Sequence, residues 1–153
     1  MHDENLEYVG FWPRVGAAII DSLLLIMVTF PIIHFVYGDA YWYTDSLILD
    51  PLDFVINYIF PAVAIILFWV YRQATPGKMA ISAKIVDADT GHEVKTSRLI
   101  LRYVGYYVSS IPLLLGLIWV AFDSRKQGWH DKMANTVVVR RKDRSPRPVS
   151  FDN

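Results

Sequence analysis

Residues 15–37 form an unbroken apolar run in which Asp21 and His34 are the only ionisable side chains. No other feature restricts the fold so strongly. At about 1.5 Å per residue a helix over this run reaches roughly 34 Å, enough to cross the hydrocarbon core of a bilayer. Phe11 and Trp12 precede it, and Tyr37, Tyr41, Trp42 and Tyr43 follow it. Aromatic residues at both ends suit the two membrane interfaces. Pro31 predicts a kink. A second run, residues 54–71, carries no charge, has Asn57 near its start and ends on Trp69 and Tyr71. Its length is close to the minimum for a crossing helix. The first residues, MHDENLEYVG, are acidic and lack the basic start of a signal peptide. The first apolar segment is therefore read as a retained helix.

The chain has 153 residues, a length expected of one domain; 54% are hydrophobic and 20% charged, with no formal net charge. Charge must therefore be segregated, and its distribution gives the orientation. The connection between the two runs holds four aspartates (Asp39, Asp45, Asp50, Asp53) and no Lys or Arg. By the positive-inside rule it lies outside the cytoplasm. The N-terminus is then cytoplasmic, as Arg14 suggests. Residues 72–102, with Arg72, Lys78, Lys84, Lys95, Arg98 and Arg102, are cytoplasmic too. Within about 78–96 a β-hairpin is expected, because Ile81, Ala83 and Ile85 alternate with polar positions and Asp87–Gly91 supplies a turn.

The third apolar run, residues 103–122, precedes the most basic part of the chain, which includes Arg125, Lys126, Lys132, Arg140, Arg141 and Lys142. A single crossing would carry these bases out of the cytoplasm. A run that enters and returns keeps them inside, and Ser109, Ser110, Pro112 and Gly116 provide the break. Such a re-entrant pair needs protein around its irregular backbone. Thr136–Arg141 reads as a short strand able to pair with the hairpin if both lie on one side. The expected fold is an all-α integral membrane protein: two transmembrane helices, a third re-entrant or broken segment and a small cytoplasmic β-hairpin. The membrane domain spans 1–141. Residues 142–153 form a basic tail expected to be disordered, suited to anionic lipid headgroups.

Chemistry is sparse. There is no cysteine, which excludes disulfides, thiolate metal sites and cysteine nucleophiles. The histidines are scattered, so no metal site is expected, and no cofactor or enzyme motif is apparent. Nucleic acid is a poor partner, since membrane anchoring already accounts for the basic face. Thr75-Pro76-Gly77-Lys78 lacks the upstream glycine of a phosphate loop and reads as a tight turn with Lys78 at the headgroups. Asp87–Gly91 has the wrong spacing for a calcium loop and reads as a turn. His34 is expected at the outer interface.

Arg14 and Asp21, seven residues apart, share a helix face at a separation of about 10 Å, with Gly16, Ala17 and Ala18 alongside for close helix approach. Asp21 would lie roughly 10 Å inside the membrane, where a carboxylate needs a partner or a proton. A structural clamp, an ion or proton site and a lipid or partner site are all open to it. Asp123 and Asp131 stand in a basic context and can pair with Arg14 or nearby bases; His130 beside Asp131 has no accompanying nucleophile.

The segments RVGAAIID (14–21), TPGKMAISAKIVD (75–87) and SRKQGWHDKMANTVVVRR (124–141) together resemble the RDD family of membrane proteins, named for one arginine and two aspartates. The resemblance implies that Arg14 is the family arginine, Asp21 the first aspartate and Asp131 the second, with Asp123 the weaker candidate. Two functions are then open, the first one assigned to some RDD proteins and the second suited to the small size, the absence of an enzyme motif and the basic tail. One is monovalent cation/proton antiport, for example with Na⁺. Asp21 would bind cation and proton in turn, Arg14 would tune it and Asp131 would relay from the cytoplasm. Two spans are too few to enclose a pathway, so this reading needs a homo-oligomer. The other is a non-catalytic scaffold or assembly partner of another membrane protein. Either would sit in the plasma membrane.

Overall fold

The structure is a computed structural model that describes residues 5–143. Strand β1 (Leu6–Tyr8) leads through Val9 and Gly10 into helix α1 (Phe11–Tyr37), which starts four residues before the apolar run and continues through Pro31 as one helix. Helix α2 (Pro51–Arg72) also starts early. The Asp50 carboxylate accepts the Asp53 N–H at 2.8 Å and Pro51 occupies the first turn, a favourable helix start. Its second turn, Val55–Ile59, is a wide π turn. Only 6% of the most apolar stretch of α1 and 11% of that of α2 is buried. Leu23 is 61% exposed and Phe35 92%. Apolar surface on this scale has no place in water, and lipid is its natural solvent. The chain is a small membrane protein with two helices able to span.

Helix α2 stops where Gln73 takes φ +55°. A short helix α3 (Pro76–Ala80) and strand β2 (Lys84–Asp87) follow. The third apolar run becomes two limbs, α4 (Thr96–Ser110) and α5 (Leu115–Ala121), bent by 112°. The bend falls beside Pro112, where Leu113 and Leu114 take left-handed backbone (φ +51° and +63°). Gly116 lets α5 fold back on α4: a Cβ there would lie 2.7 Å from the Cα of Ser109. Helix α6 (Trp129–Ala134) and strand β3 (Thr136–Arg141) complete the fold.

The sheet corrects one expectation. Residues 78–96 do not form a hairpin. β2 pairs antiparallel with β3 (Ile85 opposite Val138), β3 also pairs antiparallel with β1 (Glu7 opposite Arg140), and the order is β1-β3-β2. The Asp87–Gly91 turn is present, with Gly91 at φ +72° donating to the Asp87 carbonyl, but the arm beyond it leaves His92, Glu93 and Lys95 exposed. That arm buries little beyond Val94, which packs on the core, whereas β3 buries Val137 and Val138 side by side. The expected alternation holds on β2, where Ala83 and Ile85 are buried and Lys84 is exposed. Val9, Trp69, Ala83, Ile85, Leu99 and Val138 form the core that joins the sheet to α2 and α4. Most of the basic tail, residues 144–153, lies outside the described residues.

Candidate functional site

The most buried charges meet where α1, α4 and α6 converge. Asp131 and Arg102 are both 0% exposed. Asp131 Oδ2 accepts from Arg14 Nη1 at 2.6 Å and from the Gly128 N–H at 3.0 Å. Its Oδ1 accepts from Arg102 Nη2 at 2.5 Å and Nε at 3.2 Å. Arg14 also donates to the Val9 carbonyl at 3.0 Å and the Lys126 carbonyl at 2.5 Å. One carboxylate thus ties α1, α4 and the loop before α6 together. Burial pushes the Asp131 carboxyl up, but the Arg14 and Arg102 guanidiniums outweigh it and hold the group well below the usual carboxylate range. The Arg102 guanidinium also lies 4.9 Å from the ring of Trp69 and 5.4 Å from that of Tyr106, a favourable cation–π setting. His130 stacks on Tyr106 at 4.0 Å, with no hydrogen bond to either ring nitrogen. Burial drives its pKa down to about 3, so the ring is neutral at pH 7.

Asp21 stands apart from this clamp. Its Oδ2 accepts from the Thr75 hydroxyl at 2.5 Å and its Oδ1 from the Gly77 N–H at 2.7 Å. A carboxylate on α1 therefore satisfies a free N–H in the first turn of α3. The approach requires glycine, since a Cβ at Gly77 would lie 1.9 Å from the Ala17 carbonyl oxygen. Ala17 is fully buried at this contact, as the small-residue stretch 16–18 suggested. Arg14 and Asp21 share a helix face but take separate partners; Arg14 pairs with Asp131, 117 residues away, one of the two aspartates read as able to meet it.

Lys78 departs from its expected place at the headgroups. It is only 7% exposed, because the Asp21–Thr75–Gly77 contact draws α3 inward. With Asp21 and Thr75 it lines a cleft of about 320 Å³ between α1, α2 and α4. Asp123 lies outside the clamp. It pairs with Lys132 at 2.7 Å and accepts the Arg125 and Gln127 N–H groups at 3.1 Å each. Burial opposes its ionisation, yet these donors hold its pKa below the ordinary value. His34 is half exposed at the end of α1, 3.4 Å from Asp39. Among the described residues no three metal-ligating side chains converge.

Three polar residues had not been singled out. Arg102 lies on the inner stripe of α4 with Leu99, Gly105 and Ser109, a spacing of three and four that marks a buried helix face. Arg98 bonds Asp87 and the carbonyls of Ala134 (2.8 Å) and Asn135 (2.5 Å), fastening α4 to the sheet. That contact holds the Asp87 carboxyl far below its usual range. At the far end of the helices Asp53, 1% exposed, accepts from Tyr41 Oη (2.7 Å), the Leu49 N–H (2.9 Å) and Asn57 Nδ2 (2.6 Å).

The chain is similar to two bacterial proteins. It is 34% identical over 98 residues to the uncharacterized protein RP437 of Rickettsia prowazekii, an alignment covering 64% of this chain and 54% of that protein. This chain thus spans about half the length of that relative. It is 29% identical over 153 aligned residues to the uncharacterized membrane protein YteJ of Bacillus subtilis, covering 88% of this chain and 82% of YteJ. No solved structure matches. The sequence profile of the RDD family matches residues 8–135, which take in Arg14, Asp21 and Asp131. With that match over most of its length, the chain is a member of the RDD family.

Proposed function

We propose that this RDD protein is a non-catalytic scaffold of the plasma membrane, locked by the Arg14–Asp131–Arg102 clamp and carrying its sheet on the cytoplasmic side. The carrying observation is the closure of the clamp. Asp131 takes four N–H···O contacts and is 0% exposed. A carboxylate that binds and releases an ion needs access and spare coordination, and Asp131 has neither. The bent α4–α5 pair is re-entrant in this reading. β1 precedes α1, β2 follows α2 and β3 follows α5, and all three strands share one sheet. Two full crossings by α1 and α2 return the chain to its starting side. β3 then joins the sheet only if α4–α5 enters and returns. The basic residues around the sheet suit the cytoplasmic leaflet and its anionic headgroups. The exposed apolar faces of α1 and α2 suit lipid, a second copy or a partner's helices.

Monovalent cation/proton antiport is the second reading. One observation favours it: Asp21 lies in the wall of a cleft rather than in the closed clamp. Arg14 would not tune it, being engaged by Asp131. The test is proton flux in proteoliposomes of the purified chain under Na⁺, K⁺ or Li⁺ gradients, beside Asp21→Asn. The scaffold reading expects no ion-driven flux from the folded wild type. Flux with any of these ions that disappears in a folded Asp21→Asn variant would replace it with antiport.

A further inference from the structure

Lys78 is the buried charge that the clamp does not use. It is 93% buried by its 7% exposure, and its ammonium makes no hydrogen bond or ion pair among the described residues. An uncompensated charge in such a place is costly unless something pairs with it. Asp21 is near but already accepts from Thr75 and Gly77. The wider polar core repeats the imbalance. Arg14, Lys78 and Arg102 are three cations against two carboxylates, Asp21 and Asp131, which leaves one positive charge. A cation would worsen this balance; one monoanion would close it.

The walls say what else the ligand carries. Beside Lys78 and Thr75 stands Trp69, whose buried indole N–H has no partner. Ala18, Leu25 and Ile65 supply an apolar wall, beside the rings of Tyr103, Tyr106 and Tyr107 and the hydroxyls of Ser22 and Ser110. Ala18 and Ser22 on α1 and Tyr107 on α4 are exposed, so the cleft opens sideways between the two helices, toward the region that lipid chains occupy. Its volume of about 320 Å³ is ample for a small head with the start of a chain.

We infer that the cleft between α1, α2 and α4 binds one monoanionic amphiphile, its oxyanion head paired with the Lys78 ammonium and its hydrocarbon leaving between α1 and α4. A phospholipid phosphodiester and a free fatty-acid carboxylate share this chemistry.

The test uses the full chain purified in a neutral maltoside detergent. Phosphatidylglycerol, oleate, phosphatidylcholine and inorganic phosphate are titrated in turn. Binding is read from native mass spectra and from the unfolding temperature. Phosphatidylglycerol or oleate should bind one per chain and raise that temperature; the tighter of the two identifies the source. Phosphatidylcholine and inorganic phosphate should not bind at the same concentrations. Lys78→Met should weaken anion binding by about tenfold or more, the loss expected for one charge-assisted contact, and Lys78→Arg should retain it. Ser22→Phe keeps every charge but fills the opening, and should also lose binding; it decides the matter if Lys78→Met does not fold. Equal binding of phosphatidylglycerol and phosphatidylcholine would overturn the inference. So would inorganic phosphate binding as well as the amphiphiles, no anion binding by folded wild type, or unchanged affinity in the folded variants.

Discussion

Replacing Asp131 by alanine leaves Arg14 and Arg102 without their shared carboxylate in a site closed to water. Removing one partner of a buried ion pair costs about 3–5 kcal/mol, so the variant should unfold at markedly lower temperature or denaturant in detergent. Asp21→Asn keeps an acceptor for Gly77 and should lose only about 1 kcal/mol in the same assay. His130 and Asp131 also set a pH dependence. The folded His130 titrates at about 3 instead of 6.5, so the unfolded chain takes up its proton first as pH falls. Stability should therefore decline from about pH 6.5 downward. Asp131, with its folded pKa depressed, contributes stability above the ordinary aspartate value of 3.8 and loses it as pH falls further. Unfolding temperatures measured from pH 8 to 4 should fall with a slope that His130→Phe flattens; an unchanged slope would remove His130 from the account.

At the scale of elements, the α1–α3 contact depends on a missing side chain. Gly77→Ala forces a Cβ to within 1.9 Å of a backbone carbonyl that cannot yield, so α3 must move and the Asp21 bonds with it. A loss of about 1–3 kcal/mol is expected, read by the same unfolding assay. Gly16→Ala, inside α1 with nothing within 4 Å, should not lower stability. This contact was half legible. The small residues at 16–18 announced a close approach, but not that the visitor would be a five-residue helix. The β-hairpin failed for a related reason. The turn chemistry at Asp87–Gly91 is local and appears as read, and Thr136–Arg141 pairs with β2 as that strand was expected to; what failed is the return arm, whose place beside β2 goes to this distant apolar strand.

For the whole molecule, one sheet drawn from before α1, after α2 and after α5 ties the crossing number of the third segment to the first two. The chain has no cysteine, so single cysteines report sidedness cleanly. Lys84→Cys and Arg141→Cys, both at exposed positions, should react with an impermeant maleimide from the same face of the membrane, and Asp45→Cys from the opposite face. Reaction of Arg141→Cys together with Asp45→Cys would mean a single crossing by residues 96–121.

The apolar runs determined the two long helices without help from the rest of the chain. A backbone in hydrocarbon must bond to itself, and only a helix does so within one segment. The break near Pro112 and the Asp87–Gly91 turn were equally local. The partners of the charges were legible only in part: Asp123 and Asp131 were both open to Arg14, and Arg102 was not foreseen beside Asp131. Arg14 lies seven residues from Asp21 yet bonds Asp131, 117 residues away; Arg102 and Lys78, bases expected on the cytoplasmic face, are buried. Sequence spacing gives the face of a helix on which a charge stands. Which carboxylate it meets depends on how α1, α4 and α6 pack, a choice made by shape and desolvation across the whole fold.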